Sequence, residues 1–85
     1  MGYYLFVHYV YILKSIKFNE SYVGQTNNLK NRISDHNSGK SKHTSKYKPW
    51  NIVGYYAFID KEKALKFEKY LKTSSGKAFM KKRLL

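Results

Sequence analysis

The feature that most constrains this chain is an aromatic and β-branched run near its start, Val7-His8-Tyr9-Val10-Tyr11-Ile12-Leu13, followed shortly by a second, Tyr22-Val23-Gly24. Residues of these types favour a pleated surface, and the polar segment Lys14 to Ser21 between the runs reads as a turn. The two runs therefore predict a β-hairpin. Thr26, Asn27 or Asn28 can cap a following helix, on which Leu29, Ile33 and His36 recur at helical spacing and which should stop near Asn37-Ser38-Gly39.

Gly39 to Pro49 has no apolar period and is rich in Lys, Ser and Thr, so an exposed, mobile loop is expected there. Trp50 to Ile59 returns to strand-like content. Asp60 fits an N-cap, and Ala64, Leu65, Phe67 and Leu71 form an apolar stripe on a helix expected to run to about Thr73. Ser74-Ser75-Gly76 should break it. Ala78, Phe79, Leu84 and Leu85 among Lys77, Lys81, Lys82 and Arg83 then suggest a short basic terminal helix. The order β-β-α-β-α-α predicts an α+β fold, a small three-stranded antiparallel or mixed sheet flanked by helices. With 85 residues the chain is expected to be one domain, residues 1–85, with a thin core.

Seventeen Lys and Arg against five Asp and Glu give a formal charge of +12, so physics alone points to a polyanionic partner, with nucleic acid first. An anionic membrane would ask for a basic amphipathic helix with a clean apolar face, whereas this charge is scattered along the chain. No membrane partner is expected. The absence of Cys excludes disulfides, thiolate metal sites and Cys nucleophiles, and fits a reducing cytoplasm. No basic residue precedes the apolar Met1 to Val7 and no small-residue cleavage site closes it, so it is not read as a signal peptide. No stretch approaches the roughly 20 apolar residues of a membrane span.

Arg32 and His36, four apart, should project side by side from the first helix as a cationic pair, and the bland reading is a solvated basic face. Glu68 is less easily dismissed, because it falls between Ala64 and Leu71 on the apolar stripe. A carboxylate there needs compensation, either a cation such as Arg32 or a metal, and a packing ion pair is the structural alternative. The other acids, Glu20, Asp35, Asp60 and Glu62, are too dispersed for a two-metal site, so one metal is the most this chain can support. There is no phosphate-binding glycine loop and no zinc-ligand spacing among His8, His36 and His43, which leaves out ATP and zinc chemistry. No small-molecule cofactor is expected. Tyr11 and Tyr22, one on each of the first two strands, would ordinarily be packing residues.

Taken together, Tyr9-Val10-Tyr11-Ile12-Leu13, Tyr22-Val23-Gly24-Gln25-Thr26, Arg32, His36-Asn37-Ser38-Gly39, Pro49-Trp50 and Phe67-Glu68-Lys69-Tyr70-Leu71-Lys72 resemble the GIY-YIG nuclease domain, from about residue 7 to the end. The compact form is similar to the small stand-alone bacterial members. The resemblance implies one site made of Tyr11, Tyr22, Arg32, His36 and Glu68, with a single Mg²⁺ or Mn²⁺ on Glu68. It also implies hydrolysis of a DNA phosphodiester by an activated water. In those roles Tyr11 or Tyr22 prepares the water, His36 orients it or relays a proton, and Arg32 neutralises the scissile phosphate. Three positions depart from the family pattern: Tyr9 stands for its Gly, Gln25 for the Lys of some relatives, and Phe79-Met80-Lys81 lacks the Asn some relatives use.

Lys40, Lys42, Lys46 and Lys48 in the loop, and Lys77, Lys81, Lys82 and Arg83 at the end, are the expected nucleic-acid contacts. So small a surface should grip mainly backbone, giving weak sequence preference. If about six phosphates are neutralised, log K should fall with log salt at a slope near −5 on duplex DNA. The alternative is a catalytically idle basic nucleic-acid-binding module; a ribonucleoprotein subunit rests on charge alone. A monomer is expected.

Overall fold

The aromatic and β-branched run forms β1 (His8–Ser15), the middle strand of a sheet ordered β2-β1-β3. A computed structural model describes residues 6–85, and the apolar Met1–Leu5, read above as no signal peptide, lies outside the described residues. β2 (Ser21–Thr26) and β3 (Trp50–Phe58) flank β1, each antiparallel to it. Val10, Tyr11, Ile12 and Leu13 are all within 1% of complete burial. Successive strand residues face opposite sides of the sheet, so burial of four in a row means that both faces are covered.

Val10 and Ile12 join Val23, Ala64, Leu71 and Met80 in one cluster, whereas Tyr11 and Leu13 join Trp50 in another. Between Ile12 and Leu13 the register with β3 slips, so that Ile12 faces Gly54 and Leu13 faces Ile52. Val53 is the extra residue of this β-bulge, and it is exposed.

α1 (Leu29–Ser38) and α2 (Lys42–Ser45) cover the second cluster's side, with Leu29, Ile33 and Tyr47 packed against Tyr11, Leu13 and Trp50. Asn28 caps α1 by accepting from the Asn31 N–H, and Gly39 ends it at φ 87°, a left-handed conformation that glycine adopts without a Cβ penalty. The segment after it is not the mobile loop expected. It contains α2, buries Thr44, and is tied down where the Ser15 hydroxyl donates to the Tyr47 carbonyl at 2.6 Å and the Trp50 indole to the Thr44 carbonyl at 2.9 Å. Hydrogen bonds hold it together with the packing of Tyr47, and these leave no apolar period in its sequence.

α3 (Lys61–Leu71) covers the first cluster, beginning at Asp60, whose carboxylate accepts from the Glu62 N–H. Leu65, placed on its apolar stripe by spacing, is 43% exposed, and Phe67 instead carries the packing against Tyr56 and Phe58. The helix ends at Leu71, not Thr73, because Thr73 caps α4 (Ser74–Arg83) by accepting from the Gly76 N–H at 3.1 Å. Ser74-Ser75-Gly76 is thus the first turn of α4 rather than a breaker.

Gly76 is buried where α4 starts against the end of α3, and a Cβ there would overlap the Tyr70 carbonyl and the Leu71 Cα. Gly54 has nothing within 4 Å of the corresponding position. Gly76→Ala should therefore destabilise the fold by about 1–3 kcal/mol, whereas Gly54→Ala should stay within about 0.5 kcal/mol of the parent or exceed it. Urea unfolding of the two variants checks this, and equal midpoints would refute the close approach of α4 to α3.

Candidate active site

Tyr11 points from β1 toward α1 and stands directly across from Gly24 of β2. A Cβ at position 24 would overlap the phenol oxygen and ring carbon of Tyr11, so the glycine lets the phenol cross the neighbouring strand. Tyr11 is 1% exposed, and its hydroxyl lies 2.8 Å from Nε2 of His36. The other imidazole nitrogen, Nδ1, lies 2.7 Å from the Thr44 hydroxyl, and that hydroxyl donates to the Ser41 carbonyl at 3.3 Å. With its proton directed to Ser41, Thr44 can only accept from His36, so Nδ1 carries the imidazole proton and Nε2 accepts from Tyr11. A directed chain runs from the Tyr11 hydroxyl through His36 and Thr44 to the backbone.

His36 is fully buried, and burial together with the nearby Arg32 guanidinium lowers its pKa to about 4. It is neutral at pH 7, so the expected cationic pair of Arg32 and His36 is instead one cation beside one neutral base. Burial likewise pushes the Tyr11 phenol up to about 12, with Tyr22 adding to the shift and Arg32 opposing it. Arg32 loses by burial too, but Tyr11 and Tyr22 more than offset this by charge and hydrogen bonding and raise its pKa. Arg32 therefore lies close to both tyrosines. Its contact with Asp35, 3.9 Å and a third exposed on each side, is a weak surface pair.

Tyr22 is half-buried on β2, its ring 6.2 Å from that of Tyr11 and 4.9 Å from the imidazole of His36. Glu68 projects from α3 with 21% of its side chain exposed, and its charge is felt at Tyr11. Its cation is Lys72, one turn on at 3.1 Å, rather than Arg32. Among the described residues no three His, Cys, Asp or Glu side chains gather to hold a metal. A partly buried carboxylate of this kind suits Mg²⁺ or Mn²⁺, hard ions that keep several waters and take few protein oxygens alongside phosphate.

A cleft of about 820 Å³ opens beside Tyr22, where Lys14, Lys72, Lys77 and Lys81 ring an apolar floor of Val23, Leu71 and Met80. Of the eight expected nucleic-acid contacts, Lys77 and Lys81 line it. Lys82 and Arg83 are exposed on α4 outside it, and Lys40, Lys42, Lys46 and Lys48 are exposed on and around α2. The structure thus spreads these cations over more than one surface.

The description of the GIY-YIG catalytic domain matches residues 7–83, nearly the whole chain. The chain belongs to the GIY-YIG family. It is 42% identical over 69 residues to UPF0213 protein SH2523 of Staphylococcus haemolyticus, covering 80% of this chain and 83% of that one. Identity to UPF0213 protein YazA of Bacillus subtilis is 35% over 71 residues, 82% of this chain and 71% of that one. The solution NMR structure of UPF0213 protein BH0048 from Bacillus halodurans superposes with a TM-score of 0.55 at 36% identity, over 87% of this chain and 81% of that one. GIY-YIG domains are nuclease domains, and the α+β fold with a three-stranded antiparallel sheet is the one this likeness leads to expect.

Two residues support the site of this GIY-YIG domain: Thr44, which was not legible in the sequence, and Asn37, which stands in the His36-Asn37-Ser38-Gly39 motif but had no role read for it. Thr44, which sets the tautomer of His36, sits in a polar segment with no period to single it out. Asn37 holds α1 to β3, accepting from the Trp50 N–H at 2.6 Å and donating to the Trp50 carbonyl at 3.1 Å. The Pro49-Trp50 pair was the available hint that this segment is anchored.

Between pH 6.5 and about 4 the unfolded chain protonates His36 while the folded chain does not, so unfolding free energy should fall as pH drops through that window, by up to about 3 kcal/mol. Chemical denaturation at pH 7, 6 and 5 measures the slope, and His36→Gln should remove this share of it. Thr44→Val, which leaves the Nδ1 proton of His36 without an acceptor, should cost about 1–3 kcal/mol at pH 7. Unchanged stability in that variant would mean that the chain of hydrogen bonds is not formed.

Proposed function

We propose that this protein is a divalent-metal-dependent DNA endonuclease, cutting phosphodiesters by water attack with one Mg²⁺ or Mn²⁺ and with weak sequence preference. The observation that carries this reading is the directed contact of the Tyr11 hydroxyl with a neutral His36, close to the Arg32 guanidinium. A phenol of pKa about 12 is a poor base by itself, but one whose proton can leave for an adjacent lone pair can accept another from water. Tyr11 is thereby the tyrosine equipped to relay a proton. Tyr22, more exposed, is placed to orient the water or the phosphate, and Arg32 to neutralise the phosphate charge.

Glu68 would hold the metal, with Lys72 turning away toward the substrate. The ion would add charge stabilisation at the phosphate and leaving oxygen. No cluster of three or more metal-ligating side chains among the described residues supports a second ion. DNA would lie along the surface carrying Lys14, Lys72, Lys77 and Lys81. The protein would act as a monomer in the cytoplasm, as one domain and without a small-molecule cofactor. No helix among the described residues is long and apolar enough to cross a membrane.

The idle binding module is the second reading, and the specific observation in its favour is the Lys72–Glu68 pair, which neutralises the one candidate metal ligand. Cleavage of single-stranded and duplex DNA with Mg²⁺ or Mn²⁺, beside EDTA and Glu68→Ala controls, separates them. Metal-dependent cutting should vanish with Glu68→Ala, and Tyr11→Phe should slow it by about 10²–10⁴-fold while DNA affinity holds. Binding without cutting under every condition would establish the idle module.

A further inference from the structure

Arg32 belongs to a second concavity, of about 350 Å³, which shares no lining residue with the lysine cleft. Its other walls are His8, Gln25, Thr26, Asn27 and Lys61. Apart from Thr26, whose hydroxyl proton goes to the Asn28 carbonyl, each of these side chains can donate a hydrogen bond to a ligand, and no carboxylate is among them. Lys61, the first residue of α3, is exposed and has no ion-pair partner among the described residues. Gln25 and His8 face each other across 3.5 Å, so the strands β1 and β2 contribute a fixed polar wall. Two permanent cations brought by different helices into one small polar hollow repel each other, and an anion relieves that repulsion.

We propose that this hollow is a phosphate subsite, and that its ligand is the nucleic-acid backbone phosphate next to the scissile one, held between Arg32 and Lys61. Naming the scissile phosphate rests on the endonuclease reading above; the anion chemistry of the hollow does not. Arg32 takes part in both places, which makes the neighbouring phosphate of the same strand the natural occupant. A guanidinium can bridge two acceptors with its five donors, whereas the single ammonium of Lys61 serves one. Lys61 is thus a positioning residue, fixing the register of the strand over Tyr11 and Tyr22 without touching the reacting atoms.

The test compares Lys61→Met, Lys61→Arg and, as a matched loss of charge outside the hollow, Lys63→Met. DNA affinity is measured against salt, with KM and kcat beside it. Lys61→Met should weaken binding about tenfold and reduce the salt slope by about 0.9 on duplex or 0.7 on single-stranded DNA, raising KM while kcat holds. Lys61→Arg should retain most of the affinity. A neutral methylphosphonate placed beside the scissile position should weaken binding by the parent protein but add nothing to Lys61→Met.

Equal effects of Lys61→Met and Lys63→Met would reduce Lys61 to its share of the general field and overturn the subsite. Dependence on a terminal phosphate, lost on dephosphorylating the DNA and indifferent to the methylphosphonate, would overturn its assignment to the chain interior. Because affinity is read without cleavage, a protein that binds with this Lys61-dependent slope but never cuts would keep the subsite and lose the endonuclease.

Discussion

β1 is packed on both faces, and the arrangement of everything else follows from that. Its alternate residues supply two separate clusters, so a slip of one residue would exchange Val10 and Ile12 for Tyr11 and Leu13. The position of the Tyr11 phenol is thereby fixed by the packing of its neighbours on the opposite side of the sheet. Gly24 then leaves the one opening through which that phenol reaches His36. Groups that must meet within hydrogen-bond distance are placed most accurately by rigid elements, and here the element is the most buried strand of the molecule.

The remaining precision comes from buried polar contacts rather than from added apolar bulk. Ser15, His36 and Thr44 are the buried polar side chains, and each is hydrogen-bonded; no buried side-chain nitrogen or oxygen among the described residues lacks a partner. A typical intramolecular hydrogen bond adds only about 1 kcal/mol, but leaving one such group unmet costs about 1–3. The segment from Ser41 to Trp50 is therefore held in place less by what its bonds contribute than by what any other placement would forfeit. Because Thr44 lies in that segment, the same contacts that close the fold set the protonation of His36.

The elements with an apolar period were legible in the sequence: both hairpin strands, α1 with its cap narrowed to Thr26, Asn27 or Asn28 and its end near Gly39, β3, and the start of α3 at Asp60. Polar segments were not, because hydrogen bonding across the fold leaves no periodicity. Gly39 to Pro49 read as a loop and contains α2; Ser74-Ser75-Gly76 read as a break and opens α4. The same reason governs the site. Tyr11, Tyr22, Arg32 and His36 were recognisable as a set by resemblance, and the structure brings them into one cluster. The charge state of His36 was not, since it depends on burial beside Arg32, and neither was the attachment of Glu68 to Lys72.

These charge states bear on how a proton could move on the endonuclease reading. A stepwise transfer from Tyr11, whose pKa burial raises, to His36, whose pKa burial and Arg32 lower, runs uphill in the free protein. A phenolate beside an imidazolium is thus a poor intermediate. If the water's proton reaches Tyr11 as the phenol's own proton reaches Nε2, the phenol stays neutral and the only new protein charge is on His36. That charge is positive, and burial and Arg32 are what oppose it. A phosphate bound to Arg32 would cancel the second of these, so the substrate itself would raise the basicity of His36. On that reading the hydrogen-bond chain would be inert without DNA and competent with it.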